Sequence, residues 1–234
     1  MTELIDVAVP VLLAGIVAAG VEGVRRRQHA ATVNAAVAAA LALLPWLLAA
    51  AVRTGDGAAV VFPPSLSLWL AVAGLLHAVG MLGLYETVGW WDHFTHLVSA
   101  ALLAALLTAA VTVSAPGLTP DGVAVATVVG TLLAGGCWEL VELVARDVGR
   151  RIDVEPVLVH YGWRDTVLDL VFDLAGALLV VVVDIRPFVP LARRHPEATE
   201  TLLVGSAGAV AAGSLLMAAF LVLVSEAVGG PGRE

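Results

Sequence analysis

An aspartate and two histidines stand together in the stretch Trp90-Trp91-Asp92-His93-Phe94-Thr95-His96, at the mouth of an otherwise apolar run. Asp92 and His96 are four residues apart and so lie within about 40° of each other on a helix, with His93 beside them. In a bilayer these groups need partners, because a charge left in hydrocarbon costs roughly 2.5–3.5 kcal/mol even on lenient insertion scales.

Two further clusters could supply those partners. Cys137-Trp138-Glu139-Leu140-Val141-Glu142 sets two carboxylates three residues apart on one helix face, just after Gly135-Gly136, a pair small enough to admit another helix. Trp163-Arg164-Asp165-Thr166-Val167-Leu168-Asp169-Leu170-Val171-Phe172-Asp173 repeats an aspartate every fourth position and descends about 12 Å along one side of a helix. Gly176 follows and could again permit close packing. The candidate polar site is therefore Asp92, His96, Glu139, Glu142, Asp165, Asp169 and Asp173. Six carboxylates cannot all stay ionised side by side at low dielectric, so some must be protonated, paired with arginine or bound to a cation. Arg146 and Arg164 are the nearest arginines. The mixed nitrogen and oxygen donors suit zinc, manganese or iron better than calcium, and His96, Glu139, Glu142 and Asp169 are the expected ligands of a divalent metal.

Plainer roles compete with these. Asp92 and Asp165 also fit as N-cap or first-turn acids, placed favourably in the helix dipole. Trp90, Trp91, Trp138 and Trp163 fit an interfacial aromatic belt, and His93 could face lipid headgroups. His77 either reaches the cluster or satisfies a backbone carbonyl. Glu22 is expected to pair with Arg25 or Arg26, while His29, His160 and His195 fall in loops.

The elements that must position the clusters follow from composition. With 60% hydrophobic residues, 14% charged and a mean hydropathy of +0.96, the chain is far from the roughly 25% charged content of soluble domains. An all-α, polytopic transmembrane helical bundle is expected, in a cell membrane and surrounded by membrane lipids. About 20 apolar residues make one crossing, which gives about seven spans, near 7–24, 31–52, 66–86, 91–113, 122–145, 166–185 and 201–228. Arg25-Arg26-Arg27, Arg53-Thr54-Gly55-Asp56-Gly57, Pro63-Pro64, Pro116 with Pro120, and Arg186 through Glu197 break the runs. Gly229 to Gly232 form a flexible tail. The organisation expected is two N-terminal helices in 1–65, a four-helix core carrying the polar site in 66–185, and a loop, a last helix and a short tail in 186–234.

Arginine bias places Arg25, Arg26, Arg27, Arg146, Arg150, Arg151, Arg164 and Arg233 inside, against Arg53, Arg186, Arg193 and Arg194 outside. The N-terminus is then outside and the C-terminus cytoplasmic. The acidic start, Glu3 and Asp6, lacks the positive region of a signal peptide, so the first span is expected to be retained. In either orientation the fourth span begins where the fifth ends and the sixth begins, so the three clusters meet at one membrane face.

Composition also excludes chemistry. All 12 basic residues are arginine, which removes a Schiff base to retinal, a pyridoxal-phosphate lysine and a P-loop lysine. Rhodopsin-like photoreception goes with them. The net charge of −8 argues against nucleic acid as a partner, and the lone Cys137 rules out an intramolecular disulfide.

The pattern Leu76-His77-Ala78, then Trp91-Asp92-His93-Phe94-Thr95-His96, then Trp138-Glu139-Leu140-Val141-Glu142, then Arg164-Asp165-Thr166-Val167-Leu168-Asp169 with Asp173-Leu174-Ala175-Gly176-Ala177 resembles the YjdF-like inner-membrane proteins of unknown function. A looser similarity in acid–His, Glu and Asp order extends to VanZ-like proteins. The resemblance spans residues 66–183 and implies a polar site in a helical membrane domain, with no established reaction. The family pattern carries Asn or a small residue where this chain has Asp173. The Asp-x-x-x-Asp of the sixth span resembles half of a CDP-alcohol phosphotransferase motif, but the Asp-Gly-x-x-Ala-Arg half is missing.

Three functions fit these residues. The first is a cation-dependent site for a lipid or other amphiphile. The second is a small proton- or cation-coupled transporter, weakened because the polar residues crowd one half of the bilayer. The third is a non-catalytic scaffold with a buried polar clasp.

Overall fold

The computed structural model describes residues 2–52, 60–152 and 162–228. Met1, the break from Arg53 to Gly57, His160, Arg233 and the tail from Gly229 to Gly232 lie outside the described residues. Nine α-helices are described: α1 (Thr2–Arg26), α2 (His29–Ala51), α3 (Pro64–Val79), α4 (Tyr85–Thr87), α5 (Trp91–Ser114), α6 (Pro120–Ile152), α7 (Trp163–Val183), α8 (Val189–Arg194) and α9 (Pro196–Val228). No strand occurs among the described residues. Seven helical stretches are long and apolar enough to cross a bilayer, with α3 and α4 forming one of them.

That third span is interrupted. Gly80–Leu84 is a π-helical turn, with Gly83 at φ 121° and ψ 3°, a left-handed conformation that a side chain would strain. Two other boundaries differ from expectation. Helix α6 runs on to Ile152 rather than ending near 145, and Pro190 sits in the first turn of the short helix α8 instead of in a loop. Proline is tolerated in a first turn because its missing N–H would have had no helical partner.

Two clusters hold the bundle. Ile16 and Ala19 of α1, Ala35, Ala38 and Ala42 of α2, and Ala71 and Ala78 of α3 form one. Ala101, Leu102, Ala104, Ala105 and Ala109 of α5 meet Ala177 and Val180 of α7 in the other, closed below by Leu66 and the α8 residues Val189 and Ala192 with Phe188. Helix α3 contributes to both. Lipid tails are as apolar as leucine, so helices in a bilayer gain little from hiding large side chains and associate instead where small residues let backbones approach. Gly176 carries this furthest, since a Cβ there would collide with the backbone of Leu97 and Ala101 on α5. Helix α9 packs on α5, α6 and α8, yet it buries no residue across Pro196–Leu223.

Candidate functional site

Helices α5 and α7 start at the same end of the bundle and run parallel, with Gly176 drawing them into contact. Side chains facing across this pair meet as rungs. His93 Nδ1 lies 2.9 Å from Asp169 Oδ1, and His96 Nδ1 lies 3.2 Å from Asp173 Oδ1. His96, Asp169 and Asp173 are buried, with Asp169 only 1% exposed. The His93 ring is further fixed by stacking on Phe172, with centroids 5.2 Å apart and planes 9° from parallel.

Asp92 and Asp165 are not N-caps. Trp90 and Gly162 hold those positions without side-chain capping, and the two acids sit in the first turns of α5 and α7, where the helix dipole favours negative charge. From there they reach the rungs. Asp92, His96 and Asp169 each offer a ligand atom, all within 4.8 Å of one another, and His93, Asp165 and Asp169 do the same. Asp169 belongs to both groups, and these buried and half-buried histidines and aspartates could hold a metal ion.

Helix α6 closes the site from the third side. Glu139 is 4% exposed, with the Thr166 hydroxyl beside its carboxylate. It lies within electrostatic reach of Asp92, His96, Asp165 and Asp173. Glu142 accepts a 2.9 Å hydrogen bond from Trp138 Nε1. Of the residues expected as ligands, His96 and Asp169 come together with Asp92, whereas Glu139 and Glu142 stand outside both three-ligand groups. Of the paired glycines only Gly135 is used, because a Cβ there would run into the Asp173 carboxylate, while Gly136 touches nothing. The second Asp173 oxygen is buried without a partner.

Among the described residues no arginine has an ion pair with this cluster. Arg164 lies over the Trp163 ring, 5.6 Å from its centroid, and Arg146 has a buried Nε without a partner and no ion pair among the described residues. The arginine ion pairs described go to Glu22, Asp147 and Asp184. Arg164 sits in the first turn of α7, where a long side chain reaches outward to the interface more cheaply than inward.

His93 is the residue that the sequence reading leaves outside the site. A helical signal existed, since three residues correspond to 300° and so set it only about 60° from His96. His77 satisfies no backbone carbonyl. Its Nε2 meets Ser99 Oγ at 3.3 Å and its Nδ1 meets the Tyr85 hydroxyl at 2.7 Å, an arrangement satisfied when Tyr85 donates to Nδ1 and Nε2–H donates to Ser99. The π-helical turn makes this possible by folding the Tyr85 ring back over Gly80, where a Cβ would lie 2.5 Å from Tyr85 Cζ. His77 also shares a cavity of about 310 Å³ with His96, Ser99, Thr131, Gly135 and Asp173. Trp91 and Trp138 donate hydrogen bonds within the protein, Trp91 to the Leu76 carbonyl at 3.0 Å, while Trp90 and Trp163 are exposed as an aromatic belt requires.

Fold and site together define a polytopic membrane protein, a helical bundle with a buried histidine–carboxylate cluster toward one end. The chain matches the family described as "Predicted membrane protein (DUF2238)" over residues 7–188 and belongs to it. The YjdF-like resemblance over residues 66–183 agrees with this membership, and the family match starts at residue 7 and so takes in the first two helices as well. No curated protein and no solved structure matches the chain.

Proposed function

We propose that this protein holds a divalent cation in its His/Asp/Glu site near one face of the cell membrane, and that it binds or acts there on the polar head of a lipid or other amphiphile. The observation that carries this reading is the group Asp92, His96 and Asp169, with ligand atoms within 4.8 Å of one another. Asp173 occupies Nδ1 of His96, which leaves Nε2 as the ligating nitrogen. A carboxylate on the far side of a metal-binding imidazole fixes its tautomer and raises its basicity. A cation so held can activate water or grip a phosphate oxygen. The cavity beside His96 supports the amphiphile, because it adjoins a second, largely apolar one of about 240 Å³ that also contacts His77, Ser99 and Trp138. The arginine bias, eight against four, supports an N-terminus outside and a C-terminus in the cytoplasm.

The test is calorimetric titration of chelator-treated protein with Mn(II) and Zn(II), wild type beside His96→Ala and Asp173→Asn. Wild type is expected to bind, His96→Ala to lose binding, and Asp173→Asn to bind about 10–100-fold more weakly. No binding by wild type, together with lipid extracts unchanged in cells carrying His96→Ala, ends the proposal. The His–Asp rungs between α5 and α7 favour a second reading, a polar clasp in a scaffold. It wins if Glu139→Gln and Asp169→Asn unfold the protein while wild type binds no cation.

A further inference from the structure

A single ion in the Asp92–His96–Asp169 group leaves His93 and Asp165 unexplained, both aimed at the same Asp169. Building on the metal reading above, we infer that the centre is dinuclear: a second divalent cation sits among His93, Asp165 and Asp169, and the Asp169 carboxylate bridges it to the ion held by Asp92 and His96. The ligand atoms of each set lie within 4.8 Å of one another, and Asp169 is common to both. Each helix contributes to each ion. Helix α5 gives Asp92 and His96 to one and His93 to the other, while α7 gives Asp169 to both and Asp165 to the second.

Three observations support two ions over one. The first is spacing: His93 Nδ1 and Asp169 Oδ1 are 2.9 Å apart, and two adjacent ligands of one octahedral cation at about 2.1 Å are separated by about 3.0 Å. A cation can therefore replace the proton between them with little movement, and stacking on Phe172 already fixes the imidazole.

The second is charge. Asp92, Asp165, Asp169, Asp173, Glu139 and Glu142 gather with no arginine ion pair among the described residues. One dication offsets two carboxylates and two dications offset four, so a second ion leaves fewer of the six to be held protonated.

The third lies outside both ligand sets. Glu139 is 4% exposed, has only the Thr166 hydroxyl beside its carboxylate and no cationic partner among the described residues, and is within electrostatic reach of Asp92, His96 and Asp165. A carboxyl so buried is neutralised by a proton or by a positive charge, and the two proposed ions place that charge beside it. Glu139 faces ligands of both ions, where it can accept a hydrogen bond from a water they hold. Two ions about 3.5–4 Å apart would grip two oxygens of one phosphate-bearing head group, which narrows the amphiphile to a phosphorylated one.

The experiment uses the full-length protein in detergent, stripped with chelator and reloaded with Mn(II), then desalted. Metal per chain is read by elemental analysis and ion–ion coupling by electron paramagnetic resonance. Wild type is expected to carry about two Mn(II) per chain with an exchange-coupled spectrum, and His93→Ala about one with an uncoupled spectrum. Asp165→Asn gives a second route to the same single-ion state, and a monodisperse size-exclusion profile shows that either variant is folded. If wild type carries one uncoupled ion and His93→Ala still carries one, the dinuclear centre is overturned while the single-ion reading stands. If wild type carries none, both fall.

Discussion

Two parts of this bundle pack in the same solvent by different means. Helices α1, α2 and α3 meet through alanine and glycine: Ala35, Ala38, Ala42, Ala71 and Ala78 are buried, and a Cβ at Gly74 would lie 2.9 Å from that of Ala38. Their ion pairs, Glu22 with Arg25 and Arg26, stay at the helix end. Helices α5 and α7 use the same device at Ala101, Ala177 and Gly176, yet they add two His–Asp rungs, one buried and one half-buried. The first set shows that small residues suffice to join helices here. The rungs are therefore surplus to packing, and charged groups in a bilayer are too costly to keep without a use.

The comparison breaks most sharply at the glycine that brings α5 and α7 together. Gly176→Leu would drive a side chain into the α5 backbone at Leu97 and Ala101, and a loss near the upper end of the ~1–3 kcal/mol typical of overpacking is expected. The same change parts the two ligand-bearing helices. Thermal melts and Mn(II) binding should therefore fail together, and a variant that melts normally yet binds no metal would show that Gly176 does more than pack.

The matching change in the other region separates those readouts. Ala38 is buried between α2 and α3 against Gly74, so Ala38→Leu should cost about 1–2 kcal/mol through overpacking. No ligand comes from α1 or α2, and Mn(II) per folded chain should equal that of wild type. A metal loss as large as that of Gly176→Leu would mean that the two packing regions are coupled and cannot be treated as separate.

How far the sequence exposes this arrangement depends on what each feature rests on. The seven spans rest on local hydropathy and are legible. The meeting of Asp92, Glu139 and Asp169 rests on topology, because spans of fixed length return the chain to the same face. Partner choice rests on rotation about each helix and on how long side chains leave its ends, and no spacing states either. Hence spacing offers Arg146 and Arg164 as counterions although neither has an ion pair with the cluster among the described residues, and it ranks His93 below His96 although His93 lies on Asp169. The π-helical turn at Gly80–Leu84 was equally hidden. Gly80 and Gly83 mark it, but glycine in a membrane helix more often signals close packing.

That turn carries the smallest effect and the finest test of how the two regions join, since α3 belongs to both. Tyr85→Phe removes the hydroxyl 2.7 Å from His77 Nδ1 and keeps the ring over Gly80. His77 retains Ser99 through Nε2, so its hydrogen bond to Tyr85 is lost without a cavity, and the expected cost of that loss is about 1 kcal/mol. Because His77 lines the cavity beside His96 without being a metal ligand, Mn(II) affinity should stay within about threefold of wild type. A melt lowered by a few degrees with metal binding intact places His77 in the fold that supports the site. A tenfold loss of affinity would instead show that its tautomer reaches His96 and that α3 belongs to the metal-binding part.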